Sequence, residues 1–257
     1  MAIRARARAG EELVGTFVKL GALESIDLVA QAGFDFALID LEHSQLGFSD
    51  ASRLIRHASA LGLPAAVRLP AVDAALVNRL LEAGAAGIQL SSVTTLAQAD
   101  ALRRACGYPP HGRRSASGAQ PAAGYGMRPL GEYLAREASS PPLVIGQIET
   151  ATTDDPLDAI VARLDLAFLG TTDLAVDLGV LGEPEHPLLA ARLAEVARAA
   201  AGARIPLGAW AAGPGAIPPL RALGARYLVI GSDLQFLEQA IAPVAAASRA
   251  AGREQGR

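Results

Sequence analysis

Two carboxylates in this sequence follow short apolar runs that have the length and composition of buried strands. Glu149 follows Leu143–Ile148, and Asp173 lies just beyond Leu166–Gly170. If these runs are neighbouring parallel strands, their carboxyl ends meet at one edge of the sheet. Carboxylate oxygens are ligands that Mg²⁺ and Mn²⁺ prefer, and such ions take further ligands from water and substrate. The positions predict a divalent-metal site, while a helix N-cap role explains Asp173 equally well.

One of the four histidines stands where it could move a proton. His43 comes just after the apolar run Phe36–Leu41 and is flanked by Asp40 and Glu42. A carboxylate beside an imidazole fixes its tautomer and raises its basicity. We therefore favour a functional role for His43 and a structural role for the other histidines. These are His57, His111 and His186.

Arg68 and Lys19 are the basic side chains that the pattern places inside the fold. Arg68 follows the apolar residues Ala65–Val67, and a buried arginine is costly unless a carboxylate of the protein or of a ligand pairs with it. We therefore expect Arg68 to bind an anion. Lys19 ends the first apolar run and is the only lysine among 23 cationic side chains. A lone lysine in such a place is either a relic of composition or a catalytic amine.

These side chains need a scaffold that brings the ends of several strands together. Short β-type runs alternate with longer helical segments, which is typical of repeated βα units around a parallel sheet. The predicted strands are Val14–Lys19, Phe36–Leu41, Ala65–Leu69, Gly87–Leu90, Leu143–Ile148, Leu166–Gly170, Pro206–Ala209 and Tyr227–Ile230. Eight such units predict an α/β protein with a single (β/α)8 TIM barrel over residues 1–257. The Gly-, Pro-, Ser- and Arg-rich stretch at about 107–142 is predicted to be a long irregular loop.

The composition limits the partners and the compartment of this chain. With 23 Lys+Arg against 26 Asp+Glu, the formal net charge is −3, which argues against nucleic acid or an anionic membrane as partner. No charge-free apolar run reaches the ~18 residues of a spanning helix, and Met1–Gly10 lacks the apolar core of a secretory leader. The single cysteine, Cys106, fits a reducing cytoplasm. The Ala-rich composition and the long loop predict a homo-oligomer.

Several phrases of the sequence stand out together in the order in which they occur. They are Gly33-Phe34-Asp35-Phe36 with Ile39-Asp40-Leu41-Glu42-His43, Val67-Arg68, Gln147-Ile148-Glu149-Thr150, and Phe168-Leu169-Gly170-Thr171-Thr172-Asp173-Leu174. Together they resemble the HpcH/HpaI aldolase family, part of the phosphoenolpyruvate/pyruvate barrel superfamily. The resemblance implies a divalent-metal-dependent aldolase that cleaves or forms 4-hydroxy-2-oxo acids. Its small-molecule partners would be pyruvate, or a related 2-oxo acid, and an aldehyde.

The resemblance implies roles for the residues that would hold the metal and the oxo acid. Glu149 and Asp173 would ligate Mg²⁺, Mn²⁺ or Co²⁺. Gln147 would lie beside them and, like Asp173, contact the substrate. Arg68 would hold the 2-oxo acid near its keto oxygen and stabilise the enolate. The family also points to a hexamer as the assembly.

Further roles follow from the resemblance for the proton transfer and for the rest of the pocket. His43, oriented by Asp40, would be the general base. Backbone amides around Thr171, Thr172 and the residue after them would bind the substrate carboxylate at a helix N-terminus. Trp210 would narrow the aldehyde pocket, or it would pack as a buried residue.

The sequence departs from the family pattern in places, and other functions remain open at this point. Ser91-Ser92 stands after strand four, where the family often has proline, and Thr171-Thr172 replaces proline and a small residue. The acidic residue often paired with the histidine corresponds to Glu82. A Schiff-base aldolase that uses Lys19 as its nucleophile is one alternative, but it gives the carboxylate pair no purpose. A CoA-thioester lyase of the citrate lyase β or malyl-CoA kind is a second. A non-catalytic protein that retains the barrel is another.

Overall fold

The computed structural model of the chain describes residues 2–254 and contains a closed barrel of eight parallel strands. The strands are β1 (Leu13–Val18), β2 (Phe36–Asp40), β3 (Ala65–Leu69), β4 (Gly87–Leu90), β5 (Leu143–Ile148), β6 (Leu166–Leu169), β7 (Leu207–Ala211) and β8 (Ala225–Ser232). Each strand pairs with the next along the chain, and β8 pairs with β1 to close the ring. The predicted (β/α)8 barrel is confirmed, and each strand end lies within two residues of its prediction. Residue 1 and residues 255–257 of the predicted span lie outside the described residues.

Helices cover the outside of the barrel and its amino end. They are α1 (Ile3–Arg8), α2 (Leu23–Gln31), α3 (Phe48–Ala60), α4 (Ala74–Ala83), α5 (Leu96–Cys106), α6 (Leu130–Ser139), α7 (Leu157–Val161), α8 (Thr171–Asp177), α9 (Pro187–Ala203), α10 (Ile217–Ala222) and α11 (Asp233–Glu254). In α4 the buried residues Val77, Leu80 and Leu81 recur with the helical period and face the strands. Gly84 ends this helix at φ 110°, a conformation that glycine adopts without steric cost.

Both faces of the sheet are buried, because one faces the barrel interior and the other faces the helices. The interior is filled by Leu13, Phe17, Phe36, Leu38, Ala66, Leu143, Ile145, Leu166, Phe168, Tyr227 and Val229. Ile3 and Ala7 of α1 join this cluster and close the amino end of the barrel. A side chain on Gly15 would overlap the ring of Phe36. The filled interior leaves the carboxyl ends of the strands as the open end of the barrel.

The stretch predicted as a long irregular loop is partly helical. It contains a 3-10 turn at Pro121–Ala123 and the ten-residue helix α6. The expectation of an irregular segment at about 107–142 is therefore wrong for α6, whose buried Tyr133 anchors it. Arg114 also ties the segment to the barrel, since its Nη1 donates to Glu137 at 3.1 Å and its Nε donates to Asn78 at 3.1 Å.

The last helix, α11, is unlike the others because its apolar residues remain exposed. Leu234, Leu237, Ile241 and Val244 are 43%, 44%, 60% and 66% exposed. They recur at intervals of three and four residues, so they lie on one face of the helix. No helix within residues 2–254 is long and apolar enough to cross a membrane.

Candidate active site

A cavity of about 440 Å³ opens at the carboxyl ends of the strands. Its lining includes most of the predicted site residues, namely His43, Arg68, Gln147, Thr171, Thr172, Asp173 and Trp210. The rest of the wall is formed by Phe17, Lys19, Phe168, Gly170, Gly231, Ser232, Leu234 and Gln235. A larger cavity of about 770 Å³ lies among Arg4, Cys106 and Asp165 near the amino ends of the strands. It contains none of the predicted site residues, so the chemistry is expected at the smaller cavity.

Arg68, which lines this cavity, forms a buried ion pair with Asp40. They are direct partners in the register of β2 and β3, which brings the two side chains together. Arg68 Nε lies 2.9 Å from Asp40 Oδ1, and Nη2 lies 2.6 Å from Oδ2. Asp40 is fully buried and Arg68 is 5% exposed. The forked face of the guanidinium is therefore occupied by the protein, and Nη1 has no hydrogen-bond partner among residues 2–254.

The environment of Asp40 holds this carboxylate in its charged form. Burial by itself raises the pKa, but the hydrogen bonds and charge of Arg68 outweigh that effect. The backbone N–H groups of Glu42 and His43 add to them, and the pKa falls to about 2. Asp40 is therefore ionised at neutral pH and keeps Arg68 in place.

His43 lies at the cavity mouth, but Asp40 does not contact its ring. The Asp40 carboxylate accepts a hydrogen bond from the backbone N–H of His43 at 3.2 Å. The ring Nε2 lies 3.8 Å from Glu42 Oε2, and the side chain is 57% exposed. The prediction that Asp40 orients the imidazole is therefore wrong, because Asp40 is committed to Arg68. Glu42 is the nearest carboxylate to the ring, and the Oγ of Ser91 donates to Glu42 Oε2 at 2.5 Å.

Glu149 is held by a short network of uncharged donors. Its Oε1 accepts the backbone N–H of Ser92 at 2.8 Å and the Ser92 hydroxyl at 2.7 Å. Its Oε2 accepts the Nε2 of Gln147, and Gln147 Oε1 accepts from Gln89 at 2.6 Å. Ser92 makes both contacts with φ at 49°, which is uncommon for a residue with a side chain. The network fixes the carboxylate without neutralising it.

Glu149 and Asp173 place two negative charges beside each other. Burial raises the pKa of Glu149, and the charge of Asp173 raises it further. Asp173 is exposed on α8 and makes no side-chain hydrogen bond within residues 2–254. Neither carboxylate has a cationic partner within residues 2–254, and such a pair fits a hard divalent cation. No group of three or more His, Cys, Asp and Glu side chains is poised for a metal in the described part of the chain, so water or substrate would supply the other ligands.

The backbone beside the carboxylate pair leaves no space for a side chain. A Cβ on Gly170 would lie 2.6 Å from the Cβ of Glu149 and 2.9 Å from Nε2 of Gln147. Such contacts are far below van der Waals separation. Gly170 therefore allows Glu149 to approach the start of α8, which carries Asp173.

The remaining predicted residues lie around the rim of the cavity. Thr171 and Thr172 begin α8, which has only seven residues. The anion-binding role of their backbone amides stays a prediction. Trp210 is partly buried on β7 and lines the cavity, while also packing against the interior cluster. Glu82 Oε1 accepts a hydrogen bond from Asn78 Nδ2 on the same helix at 3.3 Å, and Glu82 makes no hydrogen bond or ion pair with His43 among residues 2–254.

The sequence matches the model of the HpcH/HpaI aldolase/citrate lyase family over residues 13–243. The chain belongs to this family. Family membership makes the protein a carbon–carbon lyase, so the alternative of a non-catalytic barrel is wrong. The resemblance stated from the sequence motifs is confirmed.

Relatives of this chain align with it over most of its length. A hydroxypyruvate/pyruvate aldolase of Paraburkholderia phytofirmans is 32% identical over 93% of this chain and 94% of its own length. A 4-hydroxy-2-oxovalerate aldolase of Rhodococcus jostii is 35% identical over 87% of this chain and 83% of its own. The crystal structure of an HpcH/HpaI aldolase from Desulfitobacterium hafniense superposes with a TM-score of 0.89 at 27% identity, covering 97% of each chain.

Sequence reasoning missed the residues that position the candidate ligands. Ser92 and Gln89 hold the Glu149–Gln147 network, and Gly170 makes room for it. Ser91 and Ser92 were visible only as a departure from the family pattern. Their hydrogen-bonding capacity after a strand end was the available signal.

Proposed function

We propose that this protein is a divalent-metal-dependent aldolase that reversibly cleaves 4-hydroxy-2-oxo acids to pyruvate, or a related 2-oxo acid, and an aldehyde. The observation that carries the proposal is the carboxylate pair Glu149 and Asp173. Asp173 lines the same cavity as Arg68 and His43, and the buried Glu149 lies close enough for the charge of Asp173 to raise its pKa. The names of the two curated relatives support an aldolase acting on small oxo acids. Mg²⁺, Mn²⁺ and Co²⁺ are the candidate cofactors.

Glu149 and Asp173 would hold the metal, with Gln147 beside them. A bound divalent ion supplies Lewis-acid stabilisation of the negative charge that develops on the oxo acid. Arg68 contributes a fixed positive charge, and its free Nη1 can donate to the oxo acid. The ion pair with Asp40 limits the motion of the guanidinium, so this donor is positioned before substrate binds.

His43 is the proposed general base. In the cleavage direction the C4 hydroxyl loses its proton to the imidazole, and the C3–C4 bond breaks to release the aldehyde. The electron pair of that bond passes to C3 and forms the enolate of the 2-oxo acid. Protonation of C3 then yields pyruvate or its homologue. His43 is suited to this because it is exposed at the mouth and lies 3.8 Å from the Glu42 carboxylate.

The Schiff-base alternative has a simple chemical test, because Lys19 is the sole lysine. Its Nζ forms an ion pair with Asp40, 3.2 Å from Oδ2. Attack on pyruvate to form a Schiff base instead requires a neutral amine. We expect borohydride reduction in the presence of pyruvate to leave the intact mass unchanged. We expect a chelator to abolish activity and Mn²⁺ to restore it. A 1-carboxyethyl adduct on Lys19, formed by reduction of the pyruvate imine, with activity that resists chelation would overturn the metal-dependent mechanism.

We also propose that the protein is a homo-oligomer in which the apolar face of α11 contacts a second copy. Four exposed apolar residues on one helix face, spaced as in helix pairs, support this assignment. Replacing Ile241 and Val244 by aspartate is expected to lower the mass seen by analytical ultracentrifugation. Leu28→Asp, on the exposed side of α2, is the matched control. A wild-type chain that sediments as a monomer would contradict the proposal.

We place the protein in the cytoplasm. Cys106 is buried and unpaired, and burial raises the pKa of its thiol to about 12. An unreactive thiol of this kind fits a reducing compartment.

A further inference from the structure

The cavity of about 770 Å³ lies at the amino end of the barrel, away from the candidate active site. Its lining includes Asp165, which immediately precedes β6, and Val144 near the start of β5. Arg4 of α1 also lines it, and the segment 107–142 supplies most of the remaining wall. Cavities of this volume commonly hold small organic ligands. The amino end of the barrel therefore has room for a molecule other than the substrate.

Three arginines share a single carboxylate beside this cavity. Three guanidinium groups lie within 3.2 Å of one atom, Asp165 Oδ1, and they belong to Arg4, Arg8 and Arg103. Three positive charges against one negative charge leave an excess of two. The other carboxylate in the cavity wall, Glu137, is 3.1 Å from Arg114 and so does not reduce this excess.

The guanidinium groups that line the cavity have donors that the protein does not use. Arg4 donates to Asp165 through Nε and Nη2. Arg103 donates through Nε to the carbonyl of Arg163 and through Nη2 to Asp165. In both arginines Nη1 has no hydrogen-bond partner within residues 2–254, and the side chains are 21% and 38% exposed. Arg114 Nη2 is buried in the same wall and also has no partner among those residues. Donors grouped in this way fit the oxygens of a phosphate group.

The rest of the cavity wall is largely apolar. It includes Tyr108, Pro109, Pro110, Leu134, Ala138, Pro141 and Pro142. The ring of Tyr108 lies over the guanidinium of Arg114, with Cζ 4.2 Å from the ring centroid. Inorganic phosphate would leave this apolar surface in contact with water, whereas an organic group would remove it from water. The wall therefore favours a ligand that joins an anion to an apolar body.

We propose that the amino end of the barrel holds a second binding site, in which Arg4 and Arg103 bind the dianion of an organic phosphate monoester. A phosphate monoester carries close to two negative charges on one group above neutral pH, which matches the excess of positive charge. Because the three guanidinium groups meet at one atom, a compact dianion fits them better than a dicarboxylate with separated charges. The apolar wall contacts the organic part of the ester. This site does not depend on the proposed aldolase function.

The probe for this site is phenyl phosphate, which joins a phosphate dianion to a flat apolar group. Calorimetric titration of the metal-free wild type at pH about 8 is expected to show saturable binding with a Kd below ~1 mM. Inorganic phosphate and benzoate are each expected to bind at least ~10-fold more weakly, since one lacks the apolar group and the other lacks the second charge.

Arg103→Gln is expected to weaken binding of phenyl phosphate by ~10-fold or more, because a charged hydrogen bond is lost. The variant should fold, since Asp165 keeps its contacts with Arg4 and Arg8. The matched control is Arg104→Gln. Arg104 is the exposed neighbour on α5 and does not line the cavity, so its replacement should leave the affinity unchanged.

A second variant tests the cavity without changing its charge. Ala138→Trp places a large side chain on the wall and is expected to weaken binding of phenyl phosphate, whereas Ala135→Trp on the exposed surface of the same helix should not. Unchanged affinity in both Arg103→Gln and Ala138→Trp would overturn the assigned site. Inorganic phosphate that binds as tightly as phenyl phosphate would overturn the assignment of an ester. A wild type without saturable binding below ~10 mM would leave the arginine cluster as an anchor for α1 only.

Discussion

Glu149→Gln is expected to lower kcat/KM for retro-aldol cleavage by at least ~10³-fold, because metal stabilisation of the developing charge is worth several kcal/mol. The substitution keeps the size of the side chain and its contacts with Ser92, but it removes one of the two negative charges. Calorimetric titration of the metal-free protein with Mn²⁺ is expected to show a loss of affinity that parallels the loss of activity.

The matched control for this experiment is Glu24→Gln. Glu24 is exposed in the first turn of α2, away from the cavity, so the same chemical change there is expected to alter neither Mn²⁺ affinity nor kcat/KM. If Glu149→Gln bound Mn²⁺ as tightly as the wild type, the assignment of Glu149 as a ligand would be wrong. The unfolding temperature of each variant checks that the barrel is intact.

Asp40→Ala is expected to have the largest effect on stability, with a loss of about 3–5 kcal/mol in the free energy of unfolding. The substitution leaves the buried guanidinium of Arg68 without its bidentate partner and leaves Lys19 unpaired. For a chain of this size the unfolding temperature should fall by roughly 10 °C. Activity should fall as well, because Arg68 loses the contact that positions it.

The control is Asp100→Ala, which removes an exposed ion pair. Asp100 Oδ1 lies 3.4 Å from Arg163 Nε, and both side chains are about a third or more exposed, so this loss should cost ~0–1 kcal/mol. Urea-induced unfolding measures the free energy of unfolding of the wild type and of both variants. Equal destabilisation by the two substitutions would show that the buried pair with Arg68 has no special importance.

The contribution of Asp40 to the free energy of unfolding should also depend on pH. Its pKa is lowered to about 2 in the folded protein, so the ionised carboxylate stabilises the fold above its ordinary pKa of about 4. That contribution, about 2 kcal/mol, is lost as the pH falls from about 4 to about 2. The stability difference between the wild type and Asp40→Ala should therefore shrink in this acid range, and a difference that grows there would contradict the ion-pair account.

The architecture was predictable because its signals are local. Each strand is a short apolar run, and helix ends such as Gly84 carry the residue that their backbone conformation requires. The repeat of these signals defines the barrel, and the barrel then defines which residues share its open end. The position of most candidate site residues around one cavity follows from that logic.

The pairing of the polar groups was not predictable, because it depends on strand register. Asp40 is close to His43 in sequence, but register places it beside Arg68. The left-handed conformation of Ser92 and its two bonds to Glu149 likewise arise only when β4 and β5 are adjacent. The exposure of the apolar face of α11 was not predictable either. An apolar helical pattern does not reveal whether the helix packs against its own chain or against another copy.

Pyruvate release by the chain after metal removal tests the central claim most directly. The metal-free protein is incubated with 4-hydroxy-2-oxovalerate or, separately, with malyl-CoA, and pyruvate or acetyl-CoA is measured before and after addition of Mn²⁺. The metal-dependent aldolase account predicts no product without metal, and pyruvate from the free hydroxy-oxo acid once Mn²⁺ is present. Pyruvate formation that is indifferent to metal, or turnover of malyl-CoA with none of the free acid, would contradict it.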